Sequence, residues 1–195
     1  MQILKIRPRP VKNECSENGN MHDPDVLLRL FFALPCPAPV RTRITHWRQG
    51  LDLPGKLVPP ANLHLTLVFL GAQPVSRLGQ LTTLAGQLEV PAFALHLDTL
   101  DCWHDGLLHL APGQAPDALL HLQNQLQQCL IEAGFTLEQR RYRPHLTLAR
   151  HSDLPGTSAP ASFTWTVEHF ALYASSNEEY QTLQSWPLLP RPLMR

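Results

Sequence analysis

The chain has 195 residues, of which 44% are hydrophobic and 16% charged, enough apolar material for one generous domain or two small lobes and too much for wholesale disorder. Lys plus Arg and Asp plus Glu number 16 each, so no global field draws nucleic acid or an anionic membrane, and any anion contact has to be local. Nineteen prolines favour short, punctuated elements over a long-helix bundle.

Residues 1 to 25 begin basic and Pro-rich (Lys5, Arg7, Pro8, Arg9, Pro10, Lys12) and lack apolar periodicity, which predicts a disordered N-terminal extension. A first strand is expected over Leu28–Leu34, stopped by Pro35, Pro37 and Pro39, and then a short helix from Val40 to Leu51. Leu63–Leu70 alternates and closes at Gly71, as a half-buried strand does. Ser76 is the expected cap of a helix reaching Leu88. Strands follow at Phe93–Leu100 and Leu107–Leu110, joined by a turn at Asp105-Gly106. Asp117 is the expected cap of the best helix, whose stripe Leu119, Leu122, Leu126, Leu130 and Ala133 ends at Gly134. His145–Ala149, Phe163–Ala174 and Tyr180–Leu188 complete the strands. The resulting βαβαββαβββ order predicts an α+β chain in two lobes rather than a doubly wound sheet.

Cys15, Cys36, Cys102 and Cys129 form no C-x-x-C pair and read as free thiols of a reducing compartment. No apolar run nears the roughly 18 residues that span a bilayer, and the Arg/Pro-rich start lacks the apolar stretch of a signal peptide. The expectation is a soluble cytoplasmic protein without a membrane partner.

His-Leu-Thr-Leu occurs twice, at 64–67 and 145–148. In a strand His64 and Thr66 point one way and Leu65 and Leu67 the other, and the same holds for His145 and Thr147 against Leu146 and Leu148. One isolated His-x-Thr is most simply a polar pair on the outer face of a strand. Two identical copies 81 residues apart favour a function. If a pseudo-twofold axis relates the two halves, two imidazoles and two hydroxyls converge on one cleft. Imidazole titrates near pH 6.5, so one histidine can take a proton from an attacking hydroxyl while the other delivers one to a leaving oxygen, as phosphodiester chemistry requires. The threonine hydroxyls can donate to non-bridging phosphate oxygens.

At these residues the chain resembles the two-histidine phosphoesterase superfamily, and within it the bacterial RNA 2′,3′-cyclic phosphodiesterase (2′-5′ RNA ligase) family. Arg29-Leu30-Phe31-Phe32-Ala33-Leu34, Asn62-Leu63, Phe69-Leu70-Gly71, Arg143-Pro144 and Leu172-Tyr173-Ala174-Ser175-Ser176 extend the likeness over about residues 28–188. The resemblance implies a single bilobal domain over 26–195, with two antiparallel sheets flanking a central cleft and helices outside. It also implies chemistry with no metal and no cofactor, on RNA ending in a 2′,3′-cyclic phosphate, tRNA fragments included. By the same carry-over His64 is the proton donor to the departing 3′ oxygen, His145 the acceptor that activates water, and Thr66 and Thr147 hold the phosphate. Run backwards with an RNA 5′-hydroxyl, the pair makes a 2′-5′ linkage.

Arg140-Arg141-Tyr142-Arg143 and Arg150 place basic charge beside the second motif. Arg143 and Arg150 are the nearer candidates for RNA, although Arg150 has the opposite strand parity to His145 unless the strand ends or bulges first. Phe32, Tyr173 and Trp103 are candidates to stack on a base, with a core position the simpler reading for Phe32; Phe69 has the parity of the core leucines. His104 and His109 with Asp101 and Asp105 match no common metal-ligand spacing and read as solvated loop residues. Two other functions fit the same motifs: turnover of a small cyclic nucleotide or 2′-5′ oligoadenylate, and non-catalytic RNA binding.

Overall fold

A computed structural model describes residues 26–156, 160–176 and 179–190; the extension expected over 1–25 lies outside them, as does Cys15. In chain order the described residues form β1 (Leu27–Pro35), α1 (Ala38–Gln49), β2 (Lys56–Leu57), β3 (His64–Pro74), α2 (Leu78–Gly86), β4 (Phe93–Leu97), β5 (Thr99–Cys102), β6 (Leu108–Ala111), α3 (Asp117–Glu132), β7 (Leu146–Arg150), β8 (Phe163–Val167), β9 (His169–Ser176) and β10 (Glu179–Pro187).

The fold is α+β, as expected, and its named strands pair antiparallel throughout. A large sheet runs in the order β10-β9-β1-β3-β7-β6-β5, with β2 beside β7, and β4 and β8 make a second, two-stranded sheet. The large sheet has two halves. Broad ladders join β3 to β1 and β7 to β6, but β3 meets β7 through one residue pair, Leu65 opposite Leu146. The two His-x-Thr motifs therefore flank the seam. Leu65 and Leu146 are fully buried there, each anchoring its motif from the core side.

Two expected strands each divide in the structure. Phe93–Leu100 breaks at Asp98, whose carboxylate accepts the Gly113 backbone N–H at 2.6 Å, so β4 pairs with β8 while β5 joins the large sheet. Phe163–Ala174 breaks at Glu168, whose carbonyl accepts the Leu188 N–H, sending β8 and β9 to different sheets. Alternating apolar residues look alike in both sheets, so the sequence pattern runs through each break.

Helix α3 buries Leu119, Leu122, Leu126 and Leu130 at the spacing of one helical face, and ends at Gly134 in the left-handed conformation with φ 78°. Pro116 rather than Asp117 occupies its N-cap; Asp117 is the first helical residue, where its charge favours the helix dipole. Likewise Ser76 lies in a 3-10 turn, Val75–Arg77, ahead of α2. Cys36, Cys102 and Cys129 are free thiols, and burial pushes Cys36 up to about 12. Among the described residues no helix is long and apolar enough to cross a membrane.

Candidate active site

Each motif histidine is held by the backbone two residues before it. His64 Nδ1 lies 2.6 Å from the Asn62 carbonyl and His145 Nδ1 lies 2.7 Å from the Arg143 carbonyl. A carbonyl oxygen only accepts, so Nδ1 carries the proton in both rings and the neutral form presents a bare Nε2. At His64 that nitrogen accepts the Thr66 hydroxyl at 3.1 Å. Because Leu65 faces Leu146, His64 and His145 are diagonal neighbours across the seam, a relation that in a regular ladder puts Cα atoms about 7–8 Å apart.

The same irregularity follows each motif. Between β1 and β3 the register skips Leu67: Ala33 pairs with Thr66 and Phe32 with Val68. Between β6 and β7 it skips Leu148: His109 pairs with Thr147 and Leu108 with Ala149. Each skip is a β-bulge that resets the alternation of faces. Leu67 and Val68 are consecutively buried, as are Leu148 and Ala149, and the next residues, Phe69 and Arg150, emerge on the motif's face. This overturns the core placement expected for Phe69, which is 38% exposed beneath the Arg29 guanidinium, 4.8 Å from its ring centre. It also resolves the parity of Arg150, whose charge acts on both His64 and His145.

Carbonyls around the bulges are caught by groups from elsewhere. The Leu148 carbonyl accepts the Val58 N–H at 2.9 Å and the buried Arg48 guanidinium at 3.1 Å. On the other strand the Tyr142 hydroxyl donates to the Thr66 carbonyl at 3.1 Å, tying the loop before the second motif to the first motif. Gly55, with φ 84°, packs against the backbone just past β7, where a Cβ would overlap the Arg150 and His151 carbonyl oxygens.

Aromatic rings wall both imidazoles. Phe31, Tyr180 and Tyr173 lie 4.9, 5.2 and 6.3 Å from the His64 ring. Trp103 and His109 lie 4.6 and 5.5 Å from the His145 ring. Tyr173 and Trp103 thus stand at the site. Phe32 does not: it is fully buried between Phe170 and Trp186, because its face of β1 looks into the core and the adjacent Phe31 takes the cleft side. Arg143 flanks His145 through its carbonyl, and its side chain lines a neighbouring hollow.

Sequence reasoning misses Phe31, Tyr180, Tyr142 and Arg48 as parts of the site, and misreads His109 as a solvated loop residue. His109 is 3% exposed, in β6 opposite Thr147. The Leu-His-Leu context of His109 is shared with His64 but equally with His96 and His121, so it does not single His109 out. Among the described residues no three His, Cys, Asp or Glu side chains converge as a metal-ligand group.

Both imidazoles titrate below the ordinary histidine value. Burial brings His64 down to about 4, opposed by its hydrogen bond to Asn62 and reinforced by the charges of His145 and Arg150. Burial also lowers His145, opposed by the Arg143 carbonyl and reinforced by His109, Arg140 and Arg150. At neutral pH the free protein therefore holds two neutral rings with Nε2 unprotonated, in a setting whose arginines favour an anion.

Comparison with known proteins gives this geometry its kin. The model of the 2'-5' RNA ligase superfamily matches residues 36–179. Over 169 residues the chain is 37% identical to the RNA 2',3'-cyclic phosphodiesterase of Escherichia coli K12, covering 82% of this chain and 96% of that protein. The protein of the same name from Bacillus subtilis is 30% identical over 135 residues, covering 65% of this chain and 73% of the other. Among solved structures, Escherichia coli LigT in complex with 3'-AMP superposes with a TM-score of 0.77 at 36% identity, over 84% of this chain and 99% of that one. A Thermus thermophilus protein, TT0787, does so with a TM-score of 0.71 at 26% identity, over 83% and 98%. With paired motifs, fold and extended sequence identity in agreement, the chain belongs to the 2'-5' RNA ligase superfamily.

Proposed function

We propose that this protein is an RNA 2′,3′-cyclic phosphodiesterase that opens a terminal cyclic phosphate to a 2′-phosphomonoester. One observation carries the reading: two imidazoles, each oriented through Nδ1 by a backbone carbonyl and each followed by a threonine, flank the single residue pair that joins the halves of the sheet.

In the proposed step, His145 Nε2 takes a proton from water as the oxygen attacks phosphorus. The bond from phosphorus to O3′ breaks, and His64 delivers a proton from Nε2 to that oxygen. His145 is neutral beforehand, as a base must be. His64 has to gain its proton, and the arriving phosphate supplies the negative charge that favours it. Protonation turns Nε2 into a donor, so the Thr66 hydroxyl that bonded it is released toward a non-bridging oxygen. Thr147 serves the other side, and Arg150, whose charge reaches both rings, balances the phosphate. Tyr173, beside His64, flanks the base or ribose of the cyclic-phosphate nucleotide, and Trp103 stands beside His145.

The same reading extends to single-stranded RNA ends, tRNA fragments among them, to catalysis without a metal, to a cytoplasmic setting and to one bilobal domain over 26–195. Incubation with an RNA ending in 2′,3′-cyclic phosphate, in the presence of a chelator, is expected to leave the phosphate on the 2′ oxygen. A 3′-phosphate, an unopened ring, or activity restored only by added metal overturns it.

A further inference from the structure

Beside His145 lies a hollow of about 370 Å³, of whose walls the step above uses only His145 and Thr66. Its walls include His145, the rings of Phe69 and Trp103, and Arg140, Arg141 and Arg143; His64 is not among them. The volume falls in the range of ligand pockets, about 300–1,000 Å³. Two rings and three guanidiniums are the combination that holds single-stranded nucleic acid, stacking bases and pairing phosphates. Arg140 is in an ion pair with Glu138 at 3.2 Å, and among the described residues Arg141 and Arg143 have no carboxylate within ion-pair distance.

From its position next to only one of the two histidines, we infer that this hollow seats the nucleotide that carries a 5′-hydroxyl, the second RNA strand of a 2′-5′ joining or cleaving reaction. The inference rests on the proposed function. In-line displacement puts the leaving O3′ on the His64 side and the nucleophile on the His145 side. When the nucleophile is water the hollow has nothing to hold. When it is an RNA 5′-hydroxyl, His145 takes that proton, the bond from phosphorus to O5′ forms, the bond to O3′ breaks, and His64 protonates O3′. Cleavage is the reverse: O3′ attacks, its proton passes to His64, and His145 protonates the departing O5′. No water or other co-reactant enters either direction. The nucleoside on O5′ then stacks between Phe69 and Trp103, and the phosphates that follow it meet Arg141 and Arg143.

Two substrates isolate the hollow. 2′,3′-Cyclic AMP presents only the nucleoside and cyclic phosphate of the His64 side. An RNA with one 2′-5′ linkage followed by two 3′-5′-linked nucleotides presents the same centre plus a strand beyond it. The ratio of their kcat/KM values, second substrate over first, is expected to fall about 10-fold in Arg141→Glu, the loss of one hydrogen-bonded charge contact. The salt dependence of the second substrate is expected to weaken by about 0.7 in logarithmic slope per lost phosphate contact. Arg141→Gln should show the same ratio change in smaller measure. An unchanged ratio and slope in both variants, or wild-type protein that opens the cyclic nucleotide but leaves the 2′-5′ linkage intact, overturns the inference. Failure of the wild-type protein to open 2′,3′-cyclic AMP overturns the proposed function itself.

Discussion

The two halves of the large sheet carry the same tetrapeptide, anchor each imidazole through the same Nδ1 contact and follow each motif with the same bulge, yet they surround their histidines differently. The first half lines its ring with Phe31, Tyr173 and Tyr180 and brings out Phe69. The second uses Trp103 and a second imidazole, His109, and brings out Arg150. The positive charge in the site thus comes mainly from one side. A symmetric frame with asymmetric surroundings is what a reaction with two different proton transfers needs, because acid and base want different environments at one pH.

Removing the histidines tests that asymmetry hardest. His64→Ala and His145→Ala should each slow opening of a cyclic-phosphate RNA end by about 10²–10⁴-fold. A nucleoside 2′-(4-nitrophenyl phosphate) separates them, since its leaving group departs on the His145 side and needs no proton. Loss of His145 should be largely forgiven on this substrate and loss of His64 should not. Equal penalties would make the two rings interchangeable.

Next in size is the charge that both rings share. Arg150→Gln should lower kcat/KM about 10-fold through the lost phosphate contact and raise the titration of both imidazoles, whose values Arg150 depresses. His109→Gln should raise that of His145 alone. Imidazole NMR titration of each variant reads this directly; a shift of His64 in the His109 variant would contradict the separation of the two environments.

Smaller effects concern the frame. Tyr142→Phe deletes the hydroxyl donated to the Thr66 carbonyl and should cost about 1 kcal/mol, a fall of about 2–4 °C in Tm for a domain of this size. The acid limb of stability completes the set. Because the folded state depresses both histidines, it binds fewer protons than the unfolded chain as pH falls below 6.5. Their stabilisation is present above that value and is lost as pH drops, toward about 4 for His64. His64→Gln should flatten the decline of Tm over this window, and more than His145→Gln does.

What can be read in advance divides along the same physical line. The motifs, the α3 stripe and the α+β class come from periodicity, which is local. Phe69 and Arg150 are misplaced or ambiguous in the sequence because a bulge is set by the partner strand's register and leaves no mark in the strand's own alternation. In β1 all five residues from Leu30 to Leu34 are buried, so nothing in that run tells the Phe31 side from the Phe32 side. His109 reads as a neighbour of loop acids, and only the pairing of β6 with β7 places it beside His145. Tyr142 and Arg48 act through backbone carbonyls 76 and 100 positions away, a relation no local pattern encodes.

The paired bulges give each motif strand one residue more than a plain ladder would use. Deleting Leu148 on paper leaves Thr147 opposite His109, Ala149 opposite Leu108 and Arg150 still emerging on the side of Thr147, so the surplus residue is not what aims the guanidinium. What disappears is a fully buried leucine and the carbonyl that Arg48 and Val58 share. The spare residue in each half thus acts as ballast, letting two consecutive side chains sink into the core immediately behind a motif whose outward face must stay polar.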